Sequence, residues 1–299
     1  MIQAIVLGAG AGGGFPQWNS DLPGCRRARS GDPMALPRTQ ASLAVSGDGE
    51  HWMILNASPD IRIQIERTAA LHPSGGGRST PIVAVALTGA EVDCIAGLLT
   101  LREGQPFRLL APASVLSQLD HNPIFDVVSR TLVPRIALPL DAAIAVGPAK
   151  LAITAFAVPG KAPLYDESSA RSDPEGETVG LEIDDGVHRL LFIPGCAAMT
   201  RSLRERIAGA DLLLFDATLW DDDEMIAAGS GIKTGRRMGH MSVGGPGGTI
   251  ESLRAVSIGR KILVHLNNSN PALLADSGQR GIAEREGWEV AFDGMELTV

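Results

Sequence analysis

The chain has 299 residues, with 26 basic and 34 acidic side chains and therefore a formal charge of −8. Apolar residues make up 44 % of the chain and charged residues 20 %, a mixture that is typical of a folded protein and excludes disorder as the main state. The acidic excess argues against nucleic acid as a partner, and no apolar run approaches the ~18 residues of a membrane-spanning helix.

The N-terminus and the cysteines both favour a cytoplasmic location. The residues after Met1 lack the basic segment and the apolar core of a secretory signal. The three cysteines, Cys25, Cys94 and Cys196, are too few and too scattered for a disulfide framework. We therefore expect a soluble protein of the cytoplasm.

Short β-rich runs alternate with helical patterns along the chain. In chain order they are strand 3–7, strands 42–46 and 52–55, helix 60–70, strand 82–87, helices 91–103 and 113–119, strands 151–156, 178–183 and 188–193, helix 200–209, strand 212–215, helix 249–257, strand 262–265, helix 279–286 and strand 288–292. This mixture predicts an α/β fold with two mixed sheets and helices outside them. We expect residues 1–299 to form one domain, with surface loops at residues 72–80 and 166–177.

The first glycine cluster, residues 8–13, matches the G-x-G-x-x-G pattern of dinucleotide-binding proteins. That pattern requires a helix to begin within the turn, and Gly14-Phe15-Pro16 cannot begin one. We therefore reject a nucleotide site and expect a turn that lets the backbone pass close to a neighbouring strand.

Four predicted strands stop abruptly at polar residues. The residues that follow the strands are Asn56, Ser58 and Asp60; Thr88, Glu91, Asp93 and Cys94; Asp216; and His265, Asn267 and Asn268. Sites in α/β proteins form beyond the carboxyl ends of strands, where loops from several strands converge. The recurrence therefore indicates a shared site at one edge of the sheets.

Each of these residues also has a structural explanation. Ser58 could cap a helix that has Pro59 at its first position, with Asp60 complementing the helix dipole. Thr88 and Glu91 match a capping box. A single histidine at a strand end is more often buried and hydrogen-bonded than bound to a metal. The metal interpretation prevails only for a set taken together: Asp93, Asp216, His240 and His265.

The ligand types of this set leave two chemistries open. Two imidazoles and one carboxylate are the ligands of non-heme ferrous oxygenases, which keep open positions for oxygen and substrate. A zinc site for hydrolysis also accepts histidine and aspartate.

The second glycine-rich loop, residues 231–242, gathers Lys233, Arg236 and Arg237 around His240. The default interpretation is a solvated run of charge. Beside a metal ligand, the same cations would bind a substrate rich in carboxylates.

Motifs spread along the chain carry a family resemblance. They are Gly12-Gly13-Gly14-Phe15-Pro16-Gln17-Trp18-Asn19, Ser58-Pro59-Asp60, Leu98-Leu99-Thr100-Leu101-Arg102-Glu103-Gly104, Met238-Gly239-His240, His265-Leu266-Asn267-Asn268-Ser269-Asn270-Pro271 and Phe292-Asp293-Gly294-Met295. Together they resemble the pyrroloquinoline-quinone (PQQ) biosynthesis protein B family. The resemblance implies the metallo-β-lactamase fold, an αββα sandwich with a metal site at one edge of two packed sheets.

The chain departs from the H-x-H-x-D-H signature of that superfamily. Gly89, Glu91 and Cys94 replace the three histidines, and only Asp93 is unchanged. A hydrolytic dizinc centre is therefore not expected. The resemblance places Asp216 at the bridging-acid position, and it implies a mononuclear site drawn from Glu91, Asp93, Asp216, His240 and His265, not all of which need bind the metal.

The resemblance also implies a reaction. Fe(II) and dioxygen would hydroxylate the tyrosine-derived ring of a glutamate–tyrosine diamino acid cut from a precursor peptide, with Asp93, His240 and His265 as catalytic residues. Zinc is a possible substitute in purified protein. The alternative that the family implies is a carrier that moves the quinone or its precursor toward the periplasm. Other proteins of the pathway are possible partners.

Substrate contacts and structural metal follow from the same resemblance. A substrate with several carboxylates suits Lys233, Arg236 and Arg237, and Asn267 and Asn268 could hydrogen-bond it or orient His265. Family members often carry a cysteine cluster after Asn19 for structural zinc. Only Cys25 remains of that cluster here, so we expect no structural zinc.

Overall fold

Buried apolar strands form the framework of the computed structural model, which describes residues 1–161 and 178–299. The predicted loop at residues 166–177 lies outside these residues. The strands are β1 (Gln3–Gly8), β2 (Ser42–Ser46), β3 (Trp52–Leu55), β4 (Ile82–Ala86), β5 (Arg108–Ala111), β6 (Arg135–Ala137), β7 (Ala143–Val146), β8 (Leu151–Ala157), β9 (Val179–Asp184), β10 (Arg189–Ile193), β11 (Leu212–Asp216), β12 (Arg260–Val264), β13 (Trp288–Val290) and β14 (Met295–Thr298). Every residue of β2, β3 and β11 is buried, as expected of strands covered on both faces.

The strands form two mixed seven-stranded sheets, in the orders β14-β1-β2-β3-β4-β5-β6 and β13-β12-β11-β10-β9-β8-β7. In the first sheet β3 to β6 run parallel, and in the second β10 to β13 do. The remaining neighbours pair antiparallel. The two sheets pack face to face through one apolar cluster, to which Leu43 and Leu55 contribute from one side and Phe192 and Leu214 from the other.

Helices cover the outer faces of both sheets. They are α1 (Pro23–Arg29), α2 (Ile61–Arg67), α3 (Val92–Ile95), α4 (Ala113–His121), α5 (Arg201–Ile207), α6 (Glu224–Ala227), α7 (Thr249–Leu253) and α8 (Gly278–Arg285), with short 3₁₀ turns at Ala69–Leu71, Ala96–Arg102, Pro123–Val127, Gly147–Ala149, Arg236–Met238 and Pro271–Leu273. Side chains of α2 and α4 pack on the first sheet, and those of α5, α7 and α8 pack on the second. The predicted αββα sandwich is confirmed. In the described ranges, no helix is both long and apolar enough to span a bilayer.

The first glycine loop joins the two sheets beside the candidate site. Gly10 N donates to Thr39 O at 2.8 Å on one side, and Ala11 N donates to Leu266 O at 2.8 Å on the other. A Cβ atom on Gly10 would lie only 3.2 Å from Thr39 O. The expected close backbone approach is therefore confirmed, and it fixes the position of the residue that follows His265.

The predicted helix 91–103 is wrong as a single helix, because α3 ends at Ile95 and a 3₁₀ turn continues from Ala96. Ala57 N donates to Cys94 O at 2.8 Å, and Gly97 N donates to Ala57 O at 2.8 Å. The Cys94 carbonyl and the Gly97 N–H are therefore paired with Ala57 and do not form regular α-helical hydrogen bonds. The apolar spacing alone could not reveal this tertiary pairing.

Gly97 is expected to tolerate no side chain. A Cβ atom there would lie 2.2 Å from Ser58 O, so backbone must move to admit it. We expect Gly97→Ala to lower the free energy of unfolding by about 1–3 kcal/mol, measured by urea denaturation. Gly278→Ala is the matched control, because a Cβ atom at that helical position meets nothing within 4 Å. Equal stability of the two variants would contradict the close packing described for Gly97.

Candidate metal centre

The carboxyl ends of strands from both sheets open into a cavity of about 480 Å³. Asn56 follows β3 and Thr88 follows shortly after β4; Pro194 follows β10 and His265 follows β12, and all four line this cavity. The predicted convergence of strand ends is therefore present, and the ends come from both facing sheets.

Asp93 and His265 meet at the wall of the cavity although 172 residues separate them. His265 Nε2 lies 2.9 Å from Asp93 Oδ2, and both side chains are largely buried. Burial alone would lower the pKa of His265, but the hydrogen bond and the charge of Asp93 raise it overall. Burial would likewise raise the pKa of Asp93, but His265 and the charge of His240 hold it below its ordinary value. Both shifts favour the charged forms of this hydrogen-bonded pair.

Asp216, at the end of β11, lies fully buried behind the histidines. Its Oδ2 accepts a hydrogen bond from Cys196 N at 2.9 Å and lies 2.7 Å from His240 Nδ1. Its Oδ1 accepts hydrogen bonds from Thr218 N at 3.0 Å and from Thr218 Oγ1 at 2.7 Å. The protein thus supplies four partners to this one carboxylate.

Thr218 contacts both histidines. Its Oγ1 lies 3.0 Å from His240 Nδ1 and 2.7 Å from His265 Nδ1. The two imidazole rings stack with their centroids 5.3 Å apart and their planes at 24°. Asp216, His240 and His265 consequently place one potential ligand atom each within 4.8 Å of one another.

Asp216, His240 and His265 place their potential ligand atoms close enough together to hold a single divalent cation, and Asp93 lies beside His265. Asp93, His240 and His265 line the cavity and supply one carboxylate and two imidazoles. This is the ligand set of non-heme ferrous sites, and zinc accepts it as well. Glu91 also lines the cavity, but its Oε1 lies 3.1 Å from Lys161 Nζ, so a cation already neutralises it.

Three positions of the superfamily signature lack an imidazole, and Glu91 among them is paired with Lys161. Gly89 has no side chain, and Cys94 Sγ lies 3.8 Å from Thr88 Oγ1. Burial raises the pKa of the Cys94 thiol well above its ordinary value, so without a metal the sulfur keeps its hydrogen.

The predicted capping box is wrong. Glu91 lies at the N-terminal boundary of α3 but makes no side-chain hydrogen bond to the helix. The Thr88 hydroxyl instead donates to Asn56 Oδ1 at 3.1 Å, and Asn56 Nδ2 donates to Thr88 Oγ1 at 2.9 Å. These two side chains therefore bind the ends of β3 and β4 together.

The predicted start of α2 is also displaced. The helix begins at Ile61, so Pro59 precedes it, and Ser58 Oγ accepts a hydrogen bond from Asp60 N at 3.2 Å. The Asp60 carboxylate accepts hydrogen bonds from Gln40 N at 2.9 Å and Gln40 Nε2 at 3.0 Å. Asp60 thus holds the segment before β2 and lies outside the cavity lining.

The predicted substrate-binding residues divide into two groups. Lys233 and Asn267 line the cavity. Arg236 and Arg237 are exposed and do not line it. Asn268 lies behind Asn267 and donates through Nδ2 to Asn267 Oδ1 at 3.2 Å.

Sequence reasoning missed Lys161, Thr218 and Glu224. Lys161 follows β8 with no motif around it, whereas Thr218 stands two residues after Asp216 and could have been considered with it. Glu224 Oε1 accepts a hydrogen bond from Ser269 Oγ at 2.5 Å, and Ser269 Oγ accepts one from Asn267 Nδ2 at 2.6 Å. A half-buried carboxylate therefore holds the turn that contains Asn267.

Glu224 is expected to make stability depend on pH. Burial raises its pKa from 4.5 to about 6, so the folded chain binds more protons than the unfolded chain between these values. Stability should therefore fall as the pH rises through this window. We expect Glu224→Gln to gain up to about 2 kcal/mol relative to the wild type between about pH 4 and about pH 7, measured by urea denaturation. A difference that does not change with pH would contradict this assignment.

Comparisons with known proteins agree with the fold. A β-lactamase superfamily domain model matches residues 51–266. The coenzyme PQQ synthesis protein B of Gluconacetobacter diazotrophicus is 61 % identical over 308 residues, covering 100 % of both chains. The chain belongs to the coenzyme PQQ synthesis protein B family. The protein of that name from Gluconobacter oxydans is 56 % identical, covering 100 % of this chain and 99 % of its own.

Solved structures extend the comparison. A Zn²⁺-bound PqqB from Methylobacterium extorquens superimposes with a TM-score of 0.96 at 49 % identity, covering 99 % of this chain and 100 % of its own. A diphosphatase of the PhnP family reaches a TM-score of 0.71 at 18 % identity, with 99 % of this chain and 96 % of its own covered. The second likeness concerns the fold alone. The resemblance to the PQQ synthesis protein B family, and the fold that it implies, are confirmed.

Proposed function

We propose that this member of the coenzyme PQQ synthesis protein B family hydroxylates the tyrosine-derived ring of a glutamate–tyrosine diamino acid, using Fe(II) and dioxygen. One observation carries the proposal: Asp93, His240 and His265 line the same cavity of about 480 Å³. A ferrous ion bound there would supply the activation of dioxygen, which protein side chains do not provide.

The reaction balances with an external reductant. One oxygen atom of dioxygen enters an aromatic C–H bond, and the other is reduced to water with two electrons and two protons. An organic reductant such as ascorbate supplies the electrons in an assay. The proposal therefore requires three components besides the protein: Fe(II), dioxygen and the reductant.

The cavity provides separate surfaces for the two halves of such a substrate. Met225, Ile232 and Met238 line it and give an apolar surface for the aromatic ring. Lys161 and Lys233 line it as well; Lys161 is paired with Glu91, and Lys233 attracts the substrate's carboxylates. The chain's own residues therefore bind and orient the diamino acid and exclude water from the ring, while Asp216 and Thr218 hold the histidines.

The test is oxygen consumption after anaerobic reconstitution with Fe(II). Addition of the diamino acid, reductant and dioxygen should consume oxygen and give a product heavier by one oxygen atom. Protein loaded with Zn²⁺ is the control, because zinc has no redox chemistry and should consume none. No oxygen uptake by protein that has bound Fe(II) and substrate would overturn the proposal.

Lys233 is expected to contribute substrate affinity. We expect Lys233→Ala to raise KM roughly tenfold with little change in kcat, since a charged hydrogen bond contributes about 1.5–3 kcal/mol. Arg236→Ala and Arg237→Ala are the controls: both side chains are exposed and outside the cavity lining, so they should act only through their longer-range charge. A larger rise in KM for either arginine variant than for Lys233→Ala would contradict the role assigned to Lys233.

A second candidate function is a carrier that binds PQQ or its precursor without turnover. It is favoured by the absence of imidazoles at Gly89, Glu91 and Cys94. Combined replacement of Asp93 and His265 with alanine separates the two functions. Unchanged cofactor production by this folded double variant would support the carrier, and loss of production would support the hydroxylase.

A further inference from the structure

Gln17 lines the cavity and is joined to a carboxylate by a chain of side-chain hydrogen bonds. Gln17 Oε1 accepts a hydrogen bond from Asn268 Nδ2, which also donates to Asn267 Oδ1 at 3.2 Å. Asn267 Nδ2 donates to Ser269 Oγ at 2.6 Å, and Ser269 Oγ donates to Glu224 Oε1 at 2.5 Å. The chain therefore runs from a charged group within the protein to an amide at the cavity.

The carboxylate of Glu224 fixes the direction of every bond in this chain. A carboxylate only accepts, so Ser269 donates its single hydrogen to Glu224, and its oxygen accepts from Asn267. The Asn267 amide consequently presents its nitrogen to Ser269 and its oxygen to Asn268. The Asn268 nitrogen then donates one hydrogen to Asn267 and the other to Gln17. It follows that Gln17 presents its amide oxygen to the protein.

The amide nitrogen of Gln17 keeps both of its hydrogens. In the parts of the chain that the structure describes, no group accepts a hydrogen bond from Gln17 Nε2. A Cβ atom on Gly13 would lie 3.1 Å from this nitrogen, and a Cβ atom on the preceding Gly12 would lie 3.7 Å from Asp93 Oδ2. The Gln17 amide therefore lies in the glycine loop that packs against Asp93, on the side of the candidate metal centre.

We propose that Gln17 is a substrate-binding residue whose Nε2 donates a hydrogen bond to a carboxylate oxygen of the diamino acid. The substrate class is taken from the proposed function, on which this assignment rests. The free end of the amide only donates, so it selects an acceptor, and the carboxylates are the strongest acceptors of that substrate. Asn267 and Asn268, both buried, are positioning residues that hold the amide in one orientation and so reduce the entropy lost on binding.

Calorimetric titration of Zn²⁺-loaded protein with the diamino acid tests the assignment at about pH 8, where Glu224, with a pKa of about 6, is ionised. Gln17→Leu removes the donor and should weaken binding roughly tenfold or more. Gln17→Glu keeps an oxygen for Asn268 but turns a carboxylate oxygen toward the substrate, so it should weaken binding roughly 100-fold or more. Urea denaturation of each variant verifies that it is folded.

Asn19→Asp is the matched control. It makes the same change of charge two residues along the chain, at an exposed position outside the cavity lining, so binding should change by no more than about twofold. Wild-type affinity in folded Gln17→Leu would overturn the assignment. Equal losses in Gln17→Glu and Asn19→Asp would overturn it as well, because the effect would then belong to the charge of the loop.

A second measurement uses the wild type alone and decides the matter if the Gln17 variants do not fold. In ¹⁵N–¹H spectra, a side-chain amide ¹H signal of Gln17 should move downfield when the diamino acid binds. Signals that stay in place in the complex would overturn the assignment. Binding with the expected pattern but without oxygen consumption would overturn only the proposed hydroxylation, whereas a wild type that does not bind the diamino acid would overturn both.

Discussion

Replacing Asp93 with alanine is expected to weaken the binding of Fe(II) or Zn²⁺ by roughly 100-fold or more, because the variant loses a charged ligand. Removal of a residue that only supports a ligand already weakens metal binding about 10–100-fold. Asp93 supplies the carboxylate that lies 2.9 Å from His265 Nε2 at the cavity wall. Oxygen consumption should be lost together with the metal. Chelator competition measures the first effect, and an oxygen electrode measures the second.

Glu91 offers the matched control for Asp93. It is a carboxylate of the same short segment that also lines the cavity, but its Oε1 lies 3.1 Å from Lys161 Nζ. We expect Glu91→Gln to retain the metal, with any loss confined to substrate affinity. Metal binding that survives Asp93→Ala but fails in Glu91→Gln would show that the wrong carboxylate has been assigned.

Replacing Asp216 with alanine is expected to lower the free energy of unfolding by about 3–5 kcal/mol, because it leaves buried donors without an acceptor. The donors that lose their partner are Cys196 N, Thr218 N, the Thr218 hydroxyl and His240 Nδ1. Urea denaturation of the metal-free protein measures the loss, so metal binding does not enter the comparison.

Two variants calibrate this result. Asp216→Asn keeps the shape and one acceptor oxygen, and it should lose less stability than Asp216→Ala. Asp211, just before the other end of β11, accepts a backbone hydrogen bond from Arg189 N at 2.8 Å, so Asp211→Ala should cost only about 1–2 kcal/mol. A cost for Asp216→Ala no greater than that for Asp211→Ala would contradict the buried network.

The sheets could be predicted from the sequence because their strands are nearly continuous apolar runs. Runs such as 52–55 and 212–215 leave no alternative to burial on both faces, and both are strands in the structure. Four strands were missed: β6, β7 and β14, whose residues are partly exposed, and β5, whose buried run is only three residues long. The prediction of a single helix at 91–103 was wrong for a different reason. Cys94 O and Gly97 N form hydrogen bonds with Ala57, which is distant in sequence, and these interrupt the α-helical pattern.

The residues that form the site could be predicted in part from the sequence, whereas the contacts among them could not. Polar residues at strand ends indicated that Asp93, Asp216 and His265 would meet, because the chain direction of the strands brings their ends together. The sequence does not state which atom of each histidine faces the cavity. Nor does it single out Thr218, whose hydroxyl contacts both rings, because threonine is too common at strand ends to be noticed alone. The exposure of Arg236 and Arg237 likewise depends on how their loop folds.

Elemental analysis of the protein, purified without oxygen and then exchanged into metal-free buffer, tests the metal centre most directly. A single cation held by one carboxylate and two imidazoles predicts one iron per chain, and a stoichiometric zinc content only where iron was withheld. Two metal ions per chain, or a correctly folded chain that retains none, would contradict the mononuclear centre from which the hydroxylation is argued.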